Sequence, residues 1–290
     1  MVSSFPFFSL YVIMEKTILE LEKIFKETVE DISLGGYTST TGKWIDFRGL
    51  LIDSFKGARF IKSISRQESE FDFSETKVYV QEIDSFQKAK EWADENCLVL
   101  NMASFYSAGG GVEVGQRAQE EELCRRSTLI LSLYKYSSQK YSTFDIDAPT
   151  RFKYPIPEFG GIYSPSVVVY KSHNSYSPLD NPIKCSVVSV AAVKNPEINK
   201  KTGKLENKYA VVMAGKIRTI LRIAVKYKHH KLVLGAFGCG AYHNPPEHVA
   251  LIFKEVLEEK EFKGCFSEIC FAIIMGDTNI KEFTKVFGKR

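Results

Sequence analysis

Two patterns of apolar residues alternate along this chain. Short runs of nearly continuous apolar residues predict strands buried on both faces, and longer segments with apolar residues every three or four positions predict helices. The predicted strands cover residues 77–82, 97–101, 166–170, 186–193, 231–237 and 266–275. The predicted helices cover residues 14–34, 84–95, 116–134, 209–228 and 246–259.

This alternation predicts an α/β fold in which helices cover both faces of a largely buried sheet. We expect a three-layer α/β/α sandwich with a mixed central sheet and an N-terminal accessory helical region. The 290 residues are expected to form a single domain, with the accessory region at 14–75 and the core at 76–290. Residues 1–13 are apolar but lack a basic start, so a signal peptide is not favoured; Met14 is an alternative start, and residues 1–13 are expected either to be disordered or not to belong to the native protein.

The composition is that of an ordinary globular protein. It is 44% hydrophobic and 26% charged with a net charge of +4, which gives no argument for direct nucleic-acid binding. No stretch approaches the roughly twenty apolar residues of a membrane span, so we expect no membrane contact. The six cysteines show no CxxC pair and no histidine at zinc-finger spacing, which predicts reduced thiols in an intracellular, cytoplasmic protein. We expect a monomer with no disulfide, no metal and no cofactor.

The most informative segment is residues 107–122. Three consecutive glycines, Gly109, Gly110 and Gly111, precede Gln119-Glu120-Glu121 with seven residues between them. A glycine run suits a backbone that must approach a ligand closely, and the glutamates lie at the start of the predicted helix 116–134. Taken singly, the run is more often a flexible turn and the glutamates more often favourable charges at a helix start. Their combination favours a ligand site with a fixed carboxylate.

A second glycine-rich turn spans residues 234–246. It leads from a predicted strand into a predicted helix, an arrangement whose free N–H groups and helix dipole hold a diphosphate without lysine. Tyr242, Phe237 and Tyr106 are candidates for stacking on a base or ribose. The alternatives are an ordinary strand-to-helix turn and a core role for Tyr242. The basic run 194–204 is most simply a solvated loop, or a surface for phosphates.

These residues together resemble the signature of the poly(ADP-ribose) glycohydrolases, and segments 100–104 and 123–126 resemble the microbial type. Segment 238–245 is similar to the diphosphate loop of that family, and the similarity extends unevenly over residues 15–275. The resemblance implies a macrodomain fold that binds ADP-ribose and hydrolyses the ribose–ribose bond between polymer units. Two positions depart from the family pattern: Met102 replaces a common Phe, and segment 105–108 lacks a Pro, which affects loop shape more than chemistry.

The resemblance also implies roles for individual residues. Glu121 matches the catalytic glutamate, Glu120 matches its neighbour on the ribose, and Asn101 matches a polar contact of the terminal ribose. The ligand-binding residues implied in addition are Gly109, Gly110, Gly111, Gln119, Phe237, Gly238, Cys239, Gly240, Ala241 and Tyr242. Exo-action, with release of terminal ADP-ribose, is implied for the microbial type.

Adjacent helical residues point about 100° apart, so only one glutamate aims at the scissile bond. We therefore expect Glu121 to act alone as acid and then base, with Glu120 orienting the ribose. Two alternatives stay open: an ADP-ribose-binding module without hydrolysis, and a hydrolase of another ADP-ribosyl linkage. The expected partners are poly(ADP-ribose), ADP-ribose and ADP-ribosylated proteins.

Overall fold

The computed structural model describes residues 16–92, 96–138, 140–144, 153–274 and 277–290. The helices are α1 (Ile18–Leu34), α2 (Arg48–Gly57), α3 (Ser85–Glu91), α4 (Gln119–Arg126), α5 (Leu129–Tyr134), α6 (Asn207–Lys226), α7 (Pro246–Leu257) and α8 (Asp277–Phe287). The strands are β1 (Gly36–Thr38), β2 (Trp44–Asp46), β3 (Arg59–Ile61), β4 (Lys77–Gln81), β5 (Leu98–Met102), β6 (Gly161–Lys171), β7 (Pro178–Val190), β8 (Lys231–Leu234) and β9 (Glu268–Ala272). The predicted ends at residues 14, 95 and 275, and the predictions for residues 1–13, lie outside the described residues.

Seven strands form one mixed sheet in the order β3-β6-β7-β5-β8-β9-β4. The pairs from β7 to β4 are parallel, and β6 pairs antiparallel with both β3 and β7. Helices α6, α7 and α8 pack on one face, and α1, α3, α4 and α5 pack on the other. The predicted three-layer α/β/α sandwich with a mixed sheet is confirmed.

The single helix predicted for residues 116–134 is wrong, because the chain breaks into α4 and α5. Ser127 is extended (φ −150°, ψ 174°) and forms an antiparallel bridge with Val169. Thr128 donates its backbone N–H to the Val168 carbonyl, and its hydroxyl accepts the Val168 N–H, both at 3.0 Å. Strand β6 therefore interrupts the helix, and the break lets every residue of α5 be buried.

Several elements differ from the prediction or are additional to it. Strands β6 and β7 form a long antiparallel pair: β6 extends past both ends of the predicted 166–170, whereas β7 begins at Pro178, well before the predicted 186–193, and ends at Val190. The accessory region contains the β1–β2 hairpin, α2 and β3, where the sequence indicates only irregular chain. Helix α8 is also unpredicted. Among the described residues, no helix is both long and apolar enough to cross a membrane.

Helix α1 packs directly behind α4. It begins with a capping box between Thr17 and Glu20 and ends at Gly35, whose φ of +75° provides the predicted stop. Its buried face includes Thr28, whose hydroxyl donates to the carbonyl of Arg125 at 2.7 Å. The accessory helix therefore supports the helix that carries the candidate glutamates.

Candidate active site

The carboxyl end of β5 and the first turn of α4 are joined by the side chain of Gln119. Its Oε1 accepts the backbone N–H of Met102 at 2.8 Å, and its Nε2 donates to the Leu100 carbonyl at 2.7 Å. A longer contact from Nε2 reaches the Ser85 hydroxyl at 3.3 Å. Gln119 thus fixes the start of α4 to the strand, and its contact with a ligand stays a prediction.

The glycine run packs directly on the two candidate carboxylates. Gly109 and Gly110 have φ values of +76° and +60°, in the region that favours glycine. A Cβ atom on Gly110 would overlap Oε1 of Glu121 and lie 3.1 Å from Oε2 of Glu120. Gly110 is therefore required by its close approach to the carboxylates, whereas a Cβ on Gly109 would overlap Ile130 and one on Gly111 would overlap Gln116, so the run is a tightly packed turn.

Glu120 is nearly fully buried, with both carboxyl oxygens engaged by the protein. Its Oε2 accepts the Ser104 backbone N–H at 2.7 Å, and its Oε1 accepts a hydrogen bond from Nδ2 of Asn101 at 3.2 Å. Burial raises the pKa of Glu120 to about 8, although these two hydrogen bonds act in the opposite direction. The negative charge of Glu121 raises it further. A buried carboxyl with this pKa holds a proton at neutral pH.

Glu121 differs from its neighbour because one of its oxygens has no partner. Its Oε1 accepts the backbone N–H of Gly111 at 2.9 Å. Its Oε2 is buried and makes no hydrogen bond to the described residues, and the same is true of Oδ1 of Asn101. Unsatisfied buried acceptors are uncommon and cost about 1–3 kcal/mol each, so such atoms are candidates for contact with a ligand hydroxyl.

Asn101 is held by a residue that the sequence did not single out. Its Nδ2 donates to the hydroxyl of Ser189 on β7 at 3.0 Å as well as to Glu120. A second unpredicted neighbour is Tyr154, whose hydroxyl is buried with no partner among the described residues. Burial raises the pKa of Tyr154, and the charge of Glu120 adds to that effect. No sequence pattern signals either residue, because both reach the site through tertiary contacts.

The second glycine-rich turn is held in shape by Asn244. The Nδ2 of this residue donates to the carbonyls of Val193 at 2.7 Å, Gly238 at 2.9 Å and Tyr242 at 3.3 Å. Gly238 has a φ of +75°, and a Cβ there would approach the side chain of Asn244. This buried side chain therefore fixes the carbonyls, and with them the backbone shape, of the turn.

Three successive backbone N–H groups, those of Gly240, Ala241 and Tyr242, donate no hydrogen bond within the described part of the chain. Gly240 has open space where a Cβ would lie. Consecutive free amides in a turn that precedes a helix favour an anion, which supports the diphosphate site predicted for this turn. Burial raises the pKa of the Cys239 thiol to about 12, so Cys239 is unsuited to act as a nucleophile.

Tyr242 connects the two glycine-rich loops. The other two residues predicted to stack on a ligand, Phe237 and Tyr106, have different surroundings. The hydroxyl of Tyr242 accepts the backbone N–H of Phe105 at 3.2 Å. The stacking face predicted for Phe237 is wrong, because its ring is fully buried and packs edge-on against Phe253. Tyr106 is 69% exposed beside the glycine loop and remains available to a ligand.

Glu122, the third glutamate of the run, forms hydrogen bonds with side chains of the surrounding fold. Glu122 accepts hydrogen bonds from the Tyr176 hydroxyl at 2.6 Å and from Nη1 of the fully buried Arg125 at 2.9 Å. Arg125 also donates to the carbonyl of Gln116 in the loop after the glycines. Glu122 therefore anchors α4 and is a suitable control for its two neighbours.

Within the described ranges, no three His, Cys, Asp or Glu residues are grouped as metal ligands.

Residues 25–172 match a protein family described as the catalytic domain of microbial-type PARG, the poly(ADP-ribose) glycohydrolases. The fold is similar to that of poly(ADP-ribose) glycohydrolase from Thermomonospora curvata bound to the inhibitor ADP-HPD, with a TM-score of 0.72, 25% identity and coverage of 91% of this chain and 98% of that chain. It is also similar to poly(ADP-ribose) glycohydrolase from Deinococcus radiodurans in complex with ADP-ribose, with a TM-score of 0.65, 24% identity and coverage of 81% and 95%. No curated protein matches the chain by sequence.

Proposed function

This chain belongs to the microbial-type poly(ADP-ribose) glycohydrolase family, and from that membership we propose how its own residues cleave the polymer. The enzyme hydrolyses the ribose–ribose O-glycosidic bond of poly(ADP-ribose) and releases ADP-ribose. The observation that carries the assignment of residues is the contrast between two adjacent buried carboxyls. Glu120 has both oxygens engaged, whereas Oε2 of Glu121 has no partner among the described residues.

We propose that Glu121 is the catalytic acid and base. Glu120 supplies the proton, because burial raises its pKa to about 8 and it is therefore protonated at neutral pH. When a ribose hydroxyl donates to Glu120 and stabilises it as a carboxylate, the proton of Glu120 passes to the adjacent Glu121. Glu121 then protonates the leaving oxygen as the glycosidic C–O bond breaks, and the bonding electrons pass to that oxygen.

The second half of the cycle uses the same residue. The carboxylate of Glu121 stabilises the oxocarbenium ion and accepts a proton from the water that attacks the anomeric carbon. That transfer restores the protonated acid. Gly111 keeps Oε1 in place through both steps, because its backbone N–H donates to that oxygen at 2.9 Å. The glycine loop thus serves as a rigid support for the acid.

Two further groups hold the substrate in this proposal. The free N–H groups of Gly240, Ala241 and Tyr242 bind the diphosphate, and the first glycine loop wraps the terminal ADP-ribose. Fixing the diphosphate and the ribose together positions the anomeric carbon over Glu121. Binding of Asn101 to the terminal ribose is supported by its unpartnered Oδ1.

Exo-action, a monomeric state, ADP-ribosylated proteins as carriers of the polymer and a cytoplasmic location also remain proposals. The location is supported by six free cysteines, five of them buried. Exo-action would appear as free ADP-ribose from the first turnover, whereas early release of longer oligomers would contradict it.

The test of the catalytic assignment is ADP-ribose release from purified poly(ADP-ribose) by wild type, Glu121→Gln and the control Glu122→Gln. We expect Glu121→Gln to lose at least about 100-fold in kcat, the scale of general acid–base catalysis, and to bind ADP-ribose within a few-fold of wild type. The Glu122→Gln protein is expected to keep kcat within a few-fold when corrected for its folded fraction. A Glu121→Gln protein as fast as wild type would refute the assignment.

A further inference from the structure

A compact turn rich in lysine lies beside the diphosphate loop, and we name residues 198–205 the lysine turn. Its ends pair through an antiparallel bridge between Ile198 and Leu205. Asn199 closes it: its backbone N–H donates to the Lys204 carbonyl at 2.8 Å, and its Oδ1 accepts the backbone N–H of Lys201 at 3.0 Å. This ordered backbone keeps the lysines on one short projection.

The lysine turn presents three cations that the protein does not neutralise. Lys200, Lys201 and Lys204 are exposed and form no ion pair with the described residues. The neighbouring acid Glu197 is occupied by Lys208, whose Nζ lies 2.7 Å from its Oε2. Three free lysines in five residues concentrate positive charge in a chain whose net charge is only +4.

The position of the lysine turn relative to the active site is set by two contacts. The backbone N–H of Leu205 donates to Nδ1 of His248, in the first turn of α7, at 3.0 Å. At the start of the basic run 194–204, which leads into the lysine turn, the Nζ of Lys194 lies 5.8 Å from the ring centre of Tyr242. Tyr242 in turn contacts Phe105 in the loop after β5, so the basic run 194–204 begins at the edge of the active site.

We propose that the lysine turn binds diphosphates of polymer units beyond the one held in the active site, a surface that distinguishes long poly(ADP-ribose) from free ADP-ribose. This inference rests on the proposed function. In the proposed function, the free N–H groups of Gly240, Ala241 and Tyr242 bind one diphosphate. Each additional polymer unit carries another diphosphate. Exposed lysines bind phosphates as mobile point charges and impose little geometry, which suits a flexible polymer. The turn has no aromatic residue on which bases would stack, so it recognises charge.

The test compares two triple variants that change charge equally. One is Lys200→Gln/Lys201→Gln/Lys204→Gln in the lysine turn. The control is Lys254→Gln/Lys260→Gln/Lys263→Gln, exposed positions toward and beyond the other end of α7. For each protein we would measure KM on long polymer at several salt concentrations, kcat, and the Kd of ADP-ribose.

An exposed ion pair contributes roughly a factor of two, so the lysine-turn variant is expected to raise KM for long polymer about tenfold at low salt. Each lost phosphate contact removes about 0.7 from the slope of log KM against log salt, which predicts a slope smaller by about 2. The Kd of ADP-ribose, kcat and the control variant are expected to match wild type. An unchanged KM and slope, or an equal loss of ADP-ribose affinity, would overturn the inference.

Failure of the inference and failure of the proposed function give different results. Polymer binding is measured separately in the Glu121→Gln background, where the three lysine changes are expected to weaken it although no turnover occurs. If wild type releases no ADP-ribose, the proposed function fails whatever the lysines bind. Single-stranded RNA that competes as well as polymer, through the same three lysines, would identify a nucleic-acid surface and overturn the inference.

Discussion

A methyl group on Gly110 would overlap Oε1 of Glu121, so the glycine loop packs against the proposed catalytic acid with no space for a side chain between them. The adjoining Gly111 holds that same oxygen by its backbone N–H. The position of the carboxylate is thus determined by the shape of the loop as much as by the helix that carries it.

Gly110→Ala is therefore expected to damage both stability and catalysis. Positive φ and the overlap together cost about 1–3 kcal/mol in the free energy of unfolding, and displacement of Glu121 lowers kcat by about 100-fold. Gly42→Ala is the matched control, because Gly42 also has positive φ (+80°) but has no atom within 4 Å of an added Cβ. Denaturant unfolding and polymer hydrolysis check both variants; a Gly110→Ala enzyme as active as Gly42→Ala would contradict the explanation.

The raised pKa of Glu120 makes a contribution to stability that decreases with rising pH. The carboxyl stays protonated in the folded chain up to about pH 8, but in the unfolded chain it loses its proton near its ordinary value of 4.5. Between these values unfolding releases a proton, so the free energy of unfolding falls as pH rises. We expect Glu120→Gln to remove this component, so that its stability relative to wild type increases from pH 5 to pH 8. Parallel stability curves for the two proteins would show that the pKa is not raised.

Asn244→Ala is expected to weaken ADP-ribose binding, because it releases the three carbonyls that shape the diphosphate loop. Loss of preorganisation by about 1–2 kcal/mol corresponds to an increase in Kd of roughly 5- to 30-fold. His243→Asn is the control: His243 is exposed with a φ of +56°, and Asn tolerates that backbone. Calorimetric titration with ADP-ribose measures both, and an unchanged Kd for Asn244→Ala would remove the loop-shaping role.

Much of the fold was predictable because its signals are local. The strands β4, β5, β8 and β9 begin within two residues of their predicted starts, since each is a short apolar run. The closeness of the glycine run to the glutamates was predictable for the same reason, because both lie in residues 107–122. These features need no knowledge of distant contacts.

The remaining features depend on partners far away in sequence. The break at Ser127 arises because β6 binds the backbone there, which no periodicity within residues 116–134 reveals. Phe237 looks like an aromatic contact beside a glycine turn, yet its ring completes the core against Phe253. Gln119 is predicted to contact a ligand, and the structure adds a second role that no local pattern reveals, because its amide binds the backbone of β5. In each case the informative contact is made by a residue outside the local sequence pattern.

The hydrogen bond between Tyr242 and Phe105 joins two loops that are far apart in the chain and that follow the neighbouring parallel strands β8 and β5. A ligand that holds both loops at once therefore binds the completed sheet and not a partly assembled one. Its binding free energy adds to the free energy of unfolding by mass action. The ligand therefore stabilises the pairing of β5 with β8, and a chain in which these strands are separated gains none of that extra stability.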